Sequence, residues 1–213
     1  MKKEDNRTKA GKIVELLKKE YGKTRIFLNH KTTFQLLIAT ILSAQCTDKK
    51  VNEVTLSLFK KYKKPADFAG AEQEMLEQEI RQTGFFRNKA KNIISCSERI
   101  CDVYKGKVPD RMEDLVSLAG VARKTANIVL SSAYGKTEGI AVDTHVKRLS
   151  NRLGLSDEKN PDKIEKDLMA VVKRKDWIDM NYLLISHGRK ACAARKPACD
   201  KCTLSKICFS AED

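Results

Sequence analysis

Apolar residues recur along this chain at the three-and-four spacing of an α-helix and almost nowhere at the alternating spacing of a strand. Phe34, Leu37, Ile38, Ile41 and Leu42 form one helical stripe, and Val51, Val54 and Leu58 form a second. Thr32, with Gln35 three residues on, fits a capping box ahead of the first. Ala90, Ile93, Ile94, Ser97, Ile100, Cys101 and Tyr104 share one face of a helix expected to stop near Gly106. The stripe Ala126, Val129, Leu130 and Ala133 runs between Lys124 and Gly135, and Val146, Leu149 and Leu153 stop at Gly154. Asn160 and Pro161 read as an N-cap followed by proline at the first helical position, opening a helix with Ile164, Leu168 and Val171. The fold class expected is all-α, with about ten short helices. At 213 residues the chain can bury a sizeable core, in one large domain or two lobes.

Charge narrows the partners. There are 42 Lys and Arg against 28 Asp and Glu, a formal net charge of +14. An excess of that size points to a polyanion, most simply nucleic acid, because cations that neutralise phosphates release condensed counterions. The opening residues MKKEDNRTKAGK hold no apolar core of a secretory signal, and the apolar run LLIATILSA is too short to cross a bilayer. The chain is expected to work inside the cell, in the cytoplasm or nucleoid and away from membranes. There its seven cysteines would be reduced or metal-bound and not disulfide-paired.

Four of those cysteines, Cys192, Cys199, Cys202 and Cys208, follow a C-x6-C-x2-C-x5-C spacing in a polar segment. Thiols so close in sequence can converge on one centre, and soft thiolates select zinc or an iron–sulfur cluster. Zinc modules commonly pair two tight knuckles; only one tight pair exists here, which leans towards a cluster. Cys96 and Cys101 fall in or beside an apolar stripe and read as core. The same segment carries Arg189, Lys190, Arg195, Lys196, Lys201 and Lys206 against the single acid Asp200. A metal holding the loop rigid would present Arg195, Lys196 and their neighbours as a fixed row of cations for phosphates.

The stretch LAGVARKTANIVL sets Lys124 just after a glycine-marked turn, at the head of an apolar helix. A helix N-terminus offers backbone N–H groups to a phosphate, so Lys124 reads equally as a phosphate ligand or as a nucleophile. A lysine attacks carbon only as the neutral amine, and a helix N-terminus and a neighbouring cation such as Arg123 both disfavour the protonated form. Asp143 stands at the start of the stripe carrying Val146 and Leu149, where a carboxylate is a good N-cap.

Taken together, these motifs resemble a known family. Leu118-Ala119-Gly120-Val121-Ala122-Arg123-Lys124 resembles the helix–hairpin–helix turn of the endonuclease III family of DNA glycosylases, usually L-P-G-V-G-x-K. Val142-Asp143-Thr144-His145 is similar to its V-D-T-H stretch, and Ile41-Leu42-Ser43-Ala44-Gln45-Cys46-Thr47-Asp48 to its L-L-S-A-Q-x-T-D segment. The four-cysteine spacing matches its [4Fe–4S] loop. The motifs stand in family order over nearly the whole chain. Two positions depart from the pattern: Ala119 replaces proline and Ala122 the second glycine, which implies a somewhat altered hairpin that still binds DNA.

The resemblance implies a two-lobed helix–hairpin–helix glycosylase fold. Residues 25–136 would form a six-helix barrel lobe, and residues 1–24 with 137–213 a helical lobe holding the cluster loop at 187–209. It implies a bifunctional DNA glycosylase and abasic-site lyase that removes oxidised pyrimidines and cuts the strand by β-elimination. Lys124 would be the nucleophile and Asp143 the catalytic carboxylate, with His145 outside the catalytic set. Cys192, Cys199, Cys202 and Cys208 would hold the [4Fe–4S] cluster. Gln45 would enter the space left by an extruded base, Phe85 would be the wedge, and Gly120, Val121, Ala122 and Arg123 would meet the phosphates. The expected partner is double-stranded DNA with damaged bases or abasic sites, bound by a monomer. The rival readings are a monofunctional mismatch or uracil glycosylase of the same superfamily and a non-catalytic DNA-binding module with a structural metal.

Overall fold

The computed structural model describes residues 5–22 and 26–211, and among them the chain is helical with no strand. Two compact units are present: Ile26–Lys136, and a second made of the N-terminal helix together with the chain from Thr137 onward. The boundary expected between residues 24 and 25 lies outside the described residues.

The N-terminal helix, α1 (Asn6–Tyr21), buries Ala10, Ile13, Val14 and Leu17, a three-and-four stripe, and shows lysines elsewhere. It belongs with the C-terminal helices described below.

In the unit Ile26–Lys136, α2 (Thr33–Leu42) is apolar all round, and its residues from Phe34 to Leu42 are all buried. A helix without a polar face belongs in the middle of a core, and α2 packs on α3 (Asp48–Lys61) and on helices from the rest of the unit. Thr32 caps it, accepting from Gln35 N at 3.1 Å. The Gln35 side chain accepts from Lys31 N, at 2.8 Å, one residue before the cap, so the reciprocal bond of a full capping box is displaced by one position. Next come α4 (Pro65–Ala69), α5 (Gln73–Ile80), a 3-10 turn at Arg81–Thr83 and the long α6 (Phe86–Asp102), against which α4 and α5 both pack. Phe68 is fully buried between Phe34 and Tyr62, edge-on to one ring and stacked on the other. Burial of a ring this size contributes about 1.5–3 kcal/mol. Cys96 is in this core, its thiol pushed up to about 12 by burial, whereas Cys101 is half-buried at the helix edge. Helices α7 (Met112–Val116) and α8 (Arg123–Tyr134) complete the unit, with α8 packed on α2. Gly135, at φ +62, ends α8 in the left-handed conformation that glycine adopts without strain.

The other unit joins α1 to α9 (Thr144–Arg152), α10 (Pro161–Val171) and α11 (Trp177–Lys190). Asn160 caps α10 through Asp162 N and Lys163 N, with Pro161 at its first position. Lys18 of α1 ties to Asp176 and Asp179 at the start of α11, at 2.7 and 2.6 Å. Gly188 lets α9 and α11 approach closely: a Cβ there would meet His145 Nδ1 at 2.8 Å and Arg148 Nη2 at 2.9 Å. Helix α11 continues to Lys190, so the first four residues of the 187–209 range expected for the cluster loop are helical.

Candidate active site and metal centre

The turn between α7 and α8 closes through Val121 N donating to Leu118 O at 3.2 Å, with Gly120 at φ +75. A positive φ at the third turn residue is what a type II turn requires, and it favours glycine. Space favours it too, since a Cβ on Gly120 would lie 3.0 Å from the Asn92 Cβ of α6. Ala119, at the second position, is only partly buried against the core, and the turn forms without the ring of a proline. Ala122 has φ −84 and ψ 167, ordinary extended geometry, so its methyl group costs nothing where the family pattern has glycine. Leu118 and Val121 anchor the turn in the core. Ala122 is the N-cap of α8, and its methyl side chain makes no cap hydrogen bond. Arg123 and Lys124 stand exposed on this first turn.

Gln45 and Phe85 share a backbone property. Each is a non-glycine residue in the left-handed region, at φ +53 and φ +48. Among the described residues the only other non-glycine cases are Lys105 and Lys196, so three of the four are residues singled out from the sequence as DNA contacts. Such conformations cost on the order of 1–3 kcal/mol and persist where surrounding structure holds them. Gln45 follows the end of α2, in a turn closed by Cys46 N donating to Ser43 O. Phe85 is the N-cap of α6, a residue 63% exposed.

Between them lies a residue the sequence did not mark. Lys89 is 5% exposed, and its Nζ donates to Leu42 O at 2.7 Å and to Thr83 O at 2.8 Å. Burial lowers its pKa from the ordinary lysine value. Nothing in the stretch RNKAKN separates Lys89 from its exposed neighbours except its place on the apolar face of α6.

Asp143 caps α9. Its Oδ1 accepts from Val146 N at 2.8 Å, and the residue is half-buried, with no bond to its second oxygen among the described residues. The backbone before it is held by Asn181 of α11, whose amide donates to Ala141 O. His145 packs over Gly188 beside Arg148, a structural setting. Lys124 and Asp143 belong to different units.

Cys192, Cys199, Cys202 and Cys208 all line one cavity of about 570 Å³, with Leu149, His187 and Leu204 among its walls. Among the described residues no three His, Cys, Asp or Glu side chains come close enough to hold a single metal ion. A tetrahedral zinc with Zn–S bonds of about 2.3 Å would need its sulfurs about 3.8 Å apart. The surroundings suit anionic sulfur. Arg152 Nη1 lies 3.2 Å from Cys192 Sγ and also holds Ala193 O at 2.7 Å, while Nη2 holds Ala194 O at 3.0 Å. Arg148 adds bonds to Gly188 O and Cys192 O. His187, whose burial lowers its pKa and favours the neutral ring, lies 2.8 Å from Tyr21 Oη through Nδ1 and 3.3 Å from Cys202 Sγ through Nε2. A tyrosine donating to Nδ1 leaves the Nε2 proton for the sulfur. Burial also raises the Cys202 thiol, the state of a ligand that ionises as metal binds. Arg195 and Lys196 project from this loop into solvent, Lys196 at φ +51.

Residues 38–174 match the pattern of the HhH-GPD superfamily base excision DNA repair proteins. The chain is similar to endonuclease III of Synechocystis sp., at 50% identity over 96% of this chain and 93% of that protein. It is also similar to endonuclease III of Bacillus subtilis, at 47% identity over 85% and 83%. Among solved structures, a non-covalent endonuclease III–DNA complex superimposes with a TM-score of 0.91 at 40% identity, over 96% of each chain. A trapped endonuclease III–DNA covalent intermediate matches with the same TM-score, identity and coverage. A thermostable thymine-DNA glycosylase, 24% identical with a TM-score of 0.83, shares the fold.

Proposed function

Because this chain belongs to the endonuclease III family within the HhH-GPD superfamily of base excision DNA repair proteins, we propose that it is a bifunctional DNA glycosylase and abasic-site lyase whose nucleophile is Lys124. The observation that carries this reading is an exposed Lys124 on the first turn of α8, after a glycine turn with no capping side chain. The same fold, 40% identical, has been caught as a covalent intermediate with DNA. The substrates are duplexes with oxidised pyrimidines or abasic sites, bound by a monomer inside the cell.

In this mechanism the neutral Lys124 amine attacks C1′ of an extruded nucleotide, the bond from C1′ to the base breaks, and the base leaves with the bonding electrons and a proton. Ring opening leaves an imine between Nζ and C1′. Loss of a C2′ proton then expels the 3′ phosphate, and water releases the amine. Asp143 stabilises the cationic character that develops at the sugar through the oxygen its capping bond leaves unused. The N–H groups at the start of α8, with Gly120, Val121, Ala122 and Arg123, hold a phosphate, as helix N-termini do. Gln45 occupies the gap left by the base, and Phe85 wedges between base steps.

Cys192, Cys199, Cys202 and Cys208 would hold a [4Fe–4S] cluster, which when bound cross-links the loop. Arg152 and His187 support their thiolates, and the rigid loop presents Arg195 and Lys196 to the DNA backbone. Borohydride reduction during reaction with an oxidised duplex tests the nucleophile. Trapping of the wild-type protein and its loss in Lys124→Ala are expected; undiminished trapping in the variant refutes the assignment.

A further inference from the structure

We propose that Lys89 is a positioning residue for base extrusion: its buried ammonium, bonded to Leu42 O and Thr83 O, joins the loops of Gln45 and Phe85 into one rigid element. This rests on the reading of those two side chains as the groups that enter the duplex.

Four observations converge on Lys89. Leu42 is the last residue of α2 and Thr83 the last of a 3-10 turn, places where backbone carbonyls lack helical partners. Lys89 lies one turn into α6, and helical side chains lean towards the N-terminus, so its Nζ reaches back under both loops. It meets two carbonyl oxygens of segments 41 residues apart in sequence, from Leu42 to Thr83. No carboxylate bonds to it among the described residues. A buried cation without an anion is costly unless its donors find acceptors, and here two neutral carbonyls take two of its three protons.

The residues just beyond both carbonyls hold left-handed conformations. Gln45 is three residues past Leu42, and Phe85 is two past Thr83. Left-handed non-glycine residues stay put only where their surroundings over-determine them. Lys89 supplies a shared constraint: neither carbonyl can swing away without breaking a charge-assisted bond, and the two loops cannot separate while both bonds hold. A wedge and a gap-filling side chain must act at once, one unstacking the base as the other takes its place. A common anchor fixes their spacing before DNA arrives.

The test is a cycle on the full-length protein, read as single-turnover excision from a duplex carrying one thymine glycol. Lys89→Met is expected to slow excision about tenfold or more, and to abolish the brightening of a 2-aminopurine placed beside the lesion, with circular dichroism unchanged. In a Gln45→Ala/Phe85→Ala background the same substitution is expected to change the rate less than about twofold, because the groups it positions are gone. An equal loss in both backgrounds would show a merely structural lysine, and a wild-type rate in Lys89→Met would show no role at all; either overturns the proposal. If Lys89→Met does not fold, Lys89→Gln, which keeps an uncharged N–H donor group on a shorter side chain, carries the same cycle. A wild-type protein that neither releases base nor traps on DNA would instead refute the function itself.

Discussion

Replacing Gln45 with glycine separates stability from function at one position. Gln45 is exposed at φ +53, so little burial is lost with its side chain. The left-handed region costs a residue with a Cβ about 1–2 kcal/mol. Glycine removes that cost but returns about 0.5–1 kcal/mol through its greater freedom in the unfolded chain. The remainder is a gain of about 0.5–1 kcal/mol, which for a chain of this length raises Tm by about 1–4 °C. Excision should move the other way, falling about tenfold or more, because nothing then fills the space of the extruded base. Lys105, at φ +52 before Gly106, is the internal control: Lys105→Gly should give a similar rise in Tm with excision unchanged. The assays are thermal melting and single-turnover base release on the same preparations. A lower Tm for Gln45→Gly would refute the strain, and a higher Tm with wild-type excision would refute the role of the side chain.

Asp143→Asn keeps an oxygen for Val146 N, so melting and DNA binding should hold while base release collapses; Asp143→Ala should also lose about 1 kcal/mol of stability with the cap. An active Asp143→Asn would show that the carboxylate is only a cap. Gly120→Ala puts a Cβ 3.0 Å from Asn92 Cβ at φ +75. It should destabilise by about 1–3 kcal/mol and weaken binding to undamaged duplex in a titration, whereas unchanged affinity would exclude the hairpin as a phosphate site. Arg152→Met removes the donors to Cys192 Sγ, Ala193 O and Ala194 O. It should speed loss of visible absorbance and of bound iron to a chelator, and equal loss rates would leave Arg152 without a part in holding the loop.

Much of the local structure is legible from neighbours in sequence. Thr32 and Asn160 cap their helices, Gly120 takes the positive φ of its turn, and Asp143 accepts from Val146 N three residues on. Each depends on groups within a few residues, so residue type and spacing suffice. The four cysteines were legible as a set for the same reason, since 16 positions separate the first from the last.

The tertiary structure decided what holds these parts in place. Lys89 reads in the sequence as one more basic residue, yet its partner Leu42 is 47 residues away. Arg152 reads as the charged end of α9, and its partners lie 40 to 42 residues on. Gly188 carries no local turn signal and is needed because α9 passes over it. Periodicity and capping are written in short-range chemistry. The partner of a buried charge, by contrast, is chosen by whichever distant backbone ends packing brings within about 3 Å, and only the folded chain contains that information.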